Sequence, residues 1–207
     1  MKLQEARRDH YRRLARRSGL KSRAYFKLEQ LDRRFQLLQP GFTVVDFGCA
    51  PGGWLQYASG LVGPRGFVLG VDLKSVDIAL PNVRTVVGDV SSAALANRVV
   101  QELGREADVI LADLAPSVSG IWELDQRRQI DLTRCVVSLM PALLRDGGSS
   151  VLKVFQGEDT ESFVRGMKEF FAGVTVVRPP ATRSRSSEIY LVCRGFRKLR
   201  PAEGSSE

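Results

Sequence analysis

The chain has a single histidine, His10, and three cysteines, Cys49, Cys135 and Cys193, among its 207 residues. One histidine far from any strand end argues against a Ser-His-Asp triad and against a histidine-rich metal site, so no metal is expected. The cysteines are odd in number, scattered, and form no C-x-x-C pair. They suggest no disulfide framework, which points to a reducing cytoplasm. Long apolar runs are absent as well. Nothing approaches the length needed to cross a bilayer, and no secretory signal precedes the domain, so no membrane partner is expected.

Acidic residues are in short supply: 23 against 31 basic ones, a net charge of +8, with a pI near 9.8. The excess is local. Met1 to Arg34 holds twelve basic and four acidic residues, which accounts for the whole imbalance. A solvated helix face is the bland reading of such a run. Its confinement to one segment favours contact with a polyanion.

What the chain does have is a strand, a glycine turn and a helix start in one stretch, Thr43 to Tyr57. Thr43 to Phe47 is β-branched and apolar, fit for a buried strand. Gly48 allows a sharp turn, and Pro51-Gly52-Gly53 keeps the backbone close to whatever lies above it. Trp54 opens a helix. Such a unit binds nucleotide-type ligands at the carboxyl end of a parallel strand. The spacing is neither G-x-G-x-x-G nor a P-loop, so a nucleoside without a pyrophosphate is expected, and S-adenosylmethionine fits.

The order of elements supports an α/β fold. Residues 1–19 read as a basic helix or arm. Ser22 can cap a second helix over 23–38, with Ala24, Leu28, Leu31, Phe35 and Leu38 facing the core. Lys27 lies at the edge of that stripe, where a lysine either snorkels to solvent or aims into a cleft. Strands are expected at 43–47, 67–71, 83–87, 108–112, 149–155, 174–178 and 188–194. Helices are expected near 93–103, 124–144 and 160–171. Alternation of this kind predicts a mainly parallel sheet covered on both faces, with the last two strands as a hairpin-like edge. Residues 1–200 read as one domain with a basic helical segment at 1–38, and 201–207 as a disordered tail.

Polar residues stand where strands end. Asp72 closes the second strand, 24 residues after Gly48, placed to accept both ribose hydroxyls of an adenosine. Asp89 ends the third strand and can take the adenine amino group. Taken alone, either is weak evidence, and a turn or cap aspartate is the competing reading. Together with Gly48, Gly52 and Gly53 they describe an adenosine cradle. Asp113 follows Val-Ile-Leu-Ala, Lys153 interrupts Val-Leu-Lys-Val-Phe, and Glu188 opens Ile-Tyr-Leu-Val. A buried ammonium is costly unless paired, so a structural Lys–Glu pair competes with a catalytic reading here.

These residues carry a resemblance. Ser22-Arg-Ala-Tyr-Phe-Lys27-Leu28, Asp46-Phe-Gly-Cys-Ala-Pro-Gly-Gly-Trp54, Asp113-Leu-Ala-Pro116, Ser119-Gly120, Lys153-Val-Phe-Gln-Gly157 and Arg183-Ser-Arg-Ser-Ser-Glu-Ile-Tyr190 occur in this order. The chain so resembles the FtsJ/RrmJ family of S-adenosylmethionine-dependent RNA 2′-O-ribose methyltransferases, from about Ser22 to Cys193. The resemblance implies a Rossmann-like class I methyltransferase fold, a seven-stranded sheet, mainly parallel with an antiparallel edge strand. It implies a catalytic tetrad of Lys27, Asp113, Lys153 and Glu188. Donor contacts are implied at Gly52, Trp54, Asp72, Asp89 and Asp113. The closest branch methylates a uridine ribose of large-subunit ribosomal RNA, so the expected partner is ribosomal RNA within the large subunit. A monomer is expected.

Lys153 is the expected general base. Partial burial beside a second cation, Lys27, favours a neutral amine. Asp113 and Glu188 oppose that shift, so their expected task is to orient the two amines and complement the sulfonium. Phosphates are expected on Arg12, Arg16, Lys21 and Arg23 at one side and on Arg183, Arg185 and the 194–200 basic cluster at another. Ser117–Trp122 is a candidate lid pivoting at Gly120, with Trp122 either stacking on a base or packing in the core. Three rivals remain: a tRNA 2′-O-ribose methyltransferase, a non-catalytic RNA-binding assembly factor, and an NAD-linked oxidoreductase, which the loop spacing disfavours.

Overall fold

The computed structural model describes residues 2–117, 119–183 and 186–198, with side chains from His10 onward. The expected tail from Pro201, Arg185, and the Leu199-Arg200 end of the basic cluster lie outside the described residues, as does Val118 in the expected lid. The elements run α1 (Lys2–Arg17), α2 (Ala24–Phe35), β1 (Thr43–Phe47), α3 (Gly53–Val62), β2 (Phe67–Asp72), β3 (Val83–Val87), α4 (Ala93–Leu103), β4 (Ala107–Ala112), α5 (Trp122–Leu143), β5 (Leu144–Phe155), α6 (Thr160–Phe170), β6 (Phe171–Val177) and β7 (Glu188–Phe196). Among the described residues, no helix is long and apolar enough to cross a membrane.

One seven-stranded sheet has the order β3-β2-β1-β4-β5-β7-β6. The first five strands are mutually parallel, and β7 runs antiparallel to both β5 and β6. The closing hairpin therefore forms one edge, with β7 one place in from it. Strand order reverses between β1 and β4. At such a switch point the two connections leave in opposite directions and open a crevice above the strand ends.

Side-chain alternation divides the sheet into two faces. Val45, Phe47, Ile110, Ala112, Leu152, Val154, Ile189 and Leu191 share one core with α4, α5 and α6. Val44, Val109, Leu111, Val151, Tyr190 and Val192 share the other with α2 and α3. Counting by twos from the second set reaches Asp46, Asp113, Lys153 and Glu188. The period of a strand thus puts all four acidic or basic groups on the α2/α3 face.

Helix α2 closes that face. Its buried side includes Phe26, Lys27, Leu28 and Leu31. It stops at Phe35, earlier than expected, because Gln36 turns left-handed at φ 53°. Asp32 then ties the end down, its two oxygens accepting from the Leu37 and Leu38 N–H groups and from the Tyr57 hydroxyl on α3. Arg23, not Ser22, holds the N-cap position. Ser22 Oγ still accepts from the Ala24 N–H at 3.2 Å.

The expected helix stop at Asp146-Gly147-Gly148 also moves. Helix α5 ends at Leu143, and β5 begins at once with Leu144. Residues 145–148 form a bulge, since Ala107 pairs with Leu144 and Val109 with Ser149. Gly147 supplies the positive φ of 72° there. Arg145 clamps the bulge to Asp108 at 2.7 Å.

Candidate active site

The glycine loop crosses from β1 to α3 at the switch point. Gly48 and Gly52 take φ values of +80° and +107°, which L side chains rarely adopt. Space is short as well. A Cβ on Gly48 would meet the Leu114 backbone nitrogen at 3.0 Å, and one on Gly52 would meet Val76 at 3.2 Å. A Cβ on Gly53 would collide with Ser22 Oγ. Glycine at these three positions thus lets the loop, the β4 exit and the α2 entry share one small volume. Above the loop, the first N–H groups of α3 have no partner within the helix, an arrangement that suits an anionic group.

Asp72 and Asp89 stand at the ends of β2 and β3. Asp72 Oδ2 accepts from the Ala50 N–H and Oδ1 from the Lys74 N–H, both at 2.9 Å. It fixes the glycine loop and retains lone pairs for a further donor. Asp89 is exposed and accepts from the Ser91 N–H and hydroxyl. Those bonds hold its carboxyl below the usual range. The turn-capping role weighed for both aspartates is therefore real, and it orients each carboxylate. Leu73, next to Asp72, leaves 69% of its surface open. Trp54 is buried, its indole N–H donating to the Ala24 carbonyl at 2.8 Å. Contact with a ligand at that position would come through its backbone.

Asp46 went unremarked in the sequence, although it interrupts an apolar strand just as Lys153 does. It is fully buried, and neither carboxyl oxygen has a hydrogen-bond partner. Burial, and next the charges of Asp113 and Asp72, push its carboxyl well above the ordinary range. Burial likewise pushes the Cys49 thiol up, so that cysteine is inert. Asp72 and Asp113 concentrate negative charge around the glycine loop, and it is this charge that Asp46 feels. A cationic ligand with a ribose fits this donor set.

Beside the loop, α2, β4, β5 and β7 bring the four expected catalytic residues together. Lys27 Nζ donates to Glu188 Oε2 at 2.8 Å and to the Tyr190 hydroxyl at 2.9 Å. That hydroxyl donates to Asp113 Oδ1 at 3.0 Å. Lys153 Nζ lies 3.2 Å from the same oxygen and 2.9 Å from the Asp113 carbonyl. Both lysine side chains are about 5% exposed, so Lys27 is aimed into the cleft and does not snorkel. Burial pushes the Asp113 carboxyl up, but the Lys153 and Lys27 cations and the Tyr190 hydroxyl outweigh it and hold the group below its ordinary value.

Tyr190 is the link the sequence reading missed. Burial, then the nearby Asp113 and Glu188 charges, push its hydroxyl well above the usual phenol range, so it keeps its proton and donates. Its signal was present: it stands two residues after Glu188, on the same strand face. The antiparallel register explains why these residues meet at all. Lys153 pairs with Tyr190, and Phe155 with Glu188, so the start of β7 lies against the end of β5. Gln129 and Thr133 on α5 anchor the Lys153 carbonyl at 2.6 Å and 3.2 Å.

The remaining expected contacts lie farther out. Arg12, Arg16, Lys21 and Arg183 are exposed, and Arg23 is half-buried. Lys21 Nζ sits 3.9 Å from Asp77. In the expected lid, Asp125 accepts from the Ser119 N–H and hydroxyl and from the Gly120 N–H, which holds that part of the loop in place. Trp122 follows, 46% exposed and stacked on Phe155.

Known proteins have related sequences and folds. The FtsJ-like methyltransferase family matches residues 20–196. Ribosomal RNA large subunit methyltransferase E of Cenarchaeum symbiosum is 44% identical over 193 residues, covering 93% of this chain and 97% of that one. The protein of the same name from Desulfatibacillum aliphaticivorans is 40% identical, with 89% of each chain covered. A crystal structure from Plasmodium falciparum, assigned as a ribosomal RNA methyltransferase, superposes with a TM-score of 0.75 at 27% identity, over 85% of this chain and 98% of that one. Aeropyrum pernix fibrillarin, crystallised with S-adenosylmethionine, shares the fold at a TM-score of 0.53 and 17% identity, over 76% and 68%. By the family match across nearly the whole sheet and by relatives at this level of identity, the chain belongs to the FtsJ-like, S-adenosylmethionine-dependent methyltransferases.

Proposed function

We propose that this protein methylates the ribose 2′-hydroxyl of a uridine in large-subunit ribosomal RNA, with Lys153 as general base. The observation that carries this reading is the continuous polar chain Glu188–Lys27–Tyr190–Asp113–Lys153 beside the glycine loop. The names of the relatives supply the RNA class. The α3 N-terminus, Asp72, Asp89 and the Asp113 carboxylate would hold the donor. When bound, S-adenosylmethionine supplies an electrophilic methyl group on a positively charged sulfur.

A ribose hydroxyl is a poor nucleophile until its proton has somewhere to go. Lys153 can act as a base only after its ammonium, the cation paired with Asp113, has given up a proton to solvent; the amine then has two N–H bonds and one lone pair. Two acceptors on Asp113, the carbonyl and Oδ1, lie within reach of Lys153 Nζ. With both N–H bonds so engaged, the lone pair is what remains to take the proton. Asp113 thereby orients the base, and Tyr190 and Lys27 hold Asp113. Alignment of hydroxyl and methyl should supply much of the rate.

Lys153→Ala should cut turnover by about a thousandfold or more, within the range of a lost general base and its alignment. Donor binding, read by calorimetry, should survive. Retention of most of the wild-type rate would refute the assignment. Mapping 2′-O-methyls on large subunits and on tRNA after incubation with the protein tests the substrate. Methyl groups confined to tRNA would replace the ribosomal reading.

A further inference from the structure

The network leaves one feature beside the site unexplained. Trp122 opens α5 and stacks on Phe155 with ring centres 5.8 Å apart and planes 26° apart. One indole face is thus backed by a ring, yet 46% of the residue stays exposed. Ile121 and Leu124 beside it are also exposed. Such apolar surface at the tip of a loop is costly to leave in water and marks contact with something. The backing ring belongs to the catalytic neighbourhood: Lys153 Nζ lies 5.9 Å from the Phe155 ring centre. The indole therefore lies no farther from the proposed base than the sum of these two short distances.

The loop is also held in position. Asp125, itself buried, binds Ser119 and Gly120 through three hydrogen bonds. A fixed, half-exposed aromatic face next to a group that acts on a ribose has the chemistry that recognises an unstacked nucleobase.

We propose that Trp122, backed by Phe155, is a stacking platform for a base of the RNA substrate beside the methylated ribose, so that the target lies in an unpaired segment. The proposal rests on the reading of the site as an RNA ribose methyltransferase and adds how it selects its target. The test reads binding separately from turnover. The chain has two tryptophans, and Trp54 is buried, so quenching by a ligand reports on Trp122. A single-stranded oligoribonucleotide should quench the full-length protein, and the same sequence in a duplex should not. Trp122→Ala should abolish the quench and raise the RNA KM about tenfold, the scale of one lost base stack. The donor KM should stay unchanged. Trp122→Phe should recover most of the RNA affinity, and Trp122→Leu, apolar but without a π-face, should not.

Equal RNA affinity in the leucine variant and the wild type would overturn the proposal, as would equal quenching by duplex and single strand. The two readings fail separately. Absence of methyl transfer with quenching intact would refute the enzymatic reading and keep the platform. Transfer with no quenching would do the reverse.

Discussion

At the scale of single residues, the site depends on groups that are expensive to bury. Tyr190 joins Lys27 to Asp113. Tyr190→Phe leaves both with one partner fewer, and a lost hydrogen bond to a buried charged group costs about 1.5–3 kcal/mol. Urea denaturation should register that loss. The initial rate should fall about tenfold through misaligned Lys153, since 1.4 kcal/mol on a barrier is a factor of ten. A variant with unchanged rate and stability would remove Tyr190 from the network. Asp46 makes a prediction with a sign. Its folded value is raised, so its stability contribution is full below the ordinary value of 3.8 and is lost as pH rises through the raised value. Asp113, held low, does the opposite and loses its contribution as pH falls. Asp46→Asn should therefore flatten the decline in stability above pH 3.8 and leave the acid limb unchanged. Saturating donor should flatten the wild-type curve in the same way, because a cation favours the ionised carboxylate. Denaturation midpoints measured across pH, with and without donor, check both.

At the scale of elements, the sequence was most legible where a strand period was broken by charge. Asp113, Lys153 and Glu188 stood out for that reason, and the structure gathers them with Lys27. The same rule applied to Thr-Val-Val-Asp-Phe would have exposed Asp46, but its place inside the glycine motif hid it. Boundaries were harder to read. The α5–β5 junction carries a bulge that Asp-Gly-Gly disguises as a helix stop, because glycine serves a bulge as well as a cap. The entry of α2 was misread by one residue, since a serine before a helix marks a cap only when the chain turns there. Its hydroxyl accepts from the Ala24 N–H and also packs against Gly53. Gly53→Ala should cost about 1–3 kcal/mol through overpacking. Ser22→Ala should relieve part of it, so the double variant should be more stable than the sum of the singles. Additive losses would show that the two do not press on each other.

At the scale of the whole molecule, charge and topology matter most. The fold class and the two-layered core followed from alternation of strand and helix periods. The insertion of the last strand between its predecessors could not be read from periodicity, which carries no information on strand neighbours. Arg12, Arg16 and Lys21 are among the exposed residues of the basic segment that ends at Arg34. RNA affinity should fall steeply with salt, as bound counterions are displaced from phosphates. Replacing Arg12 and Arg16 by glutamine should lower the slope of log affinity against log salt by about two, one for each phosphate contact removed. An unchanged slope would place RNA elsewhere on the surface.

The strand that completes the network, β7, is the last of the seven to be synthesised, yet it sits inside the sheet. Until it leaves the translating ribosome, β6 has no strand to pair with, and Lys27 lacks both Glu188 and Tyr190. Without β7 the polar chain from Glu188 through Lys27 and Tyr190 to Asp113 cannot close. A chain that stops short of β7 therefore lacks both side-chain partners of Lys27 and the hydroxyl that joins Lys27 to Asp113.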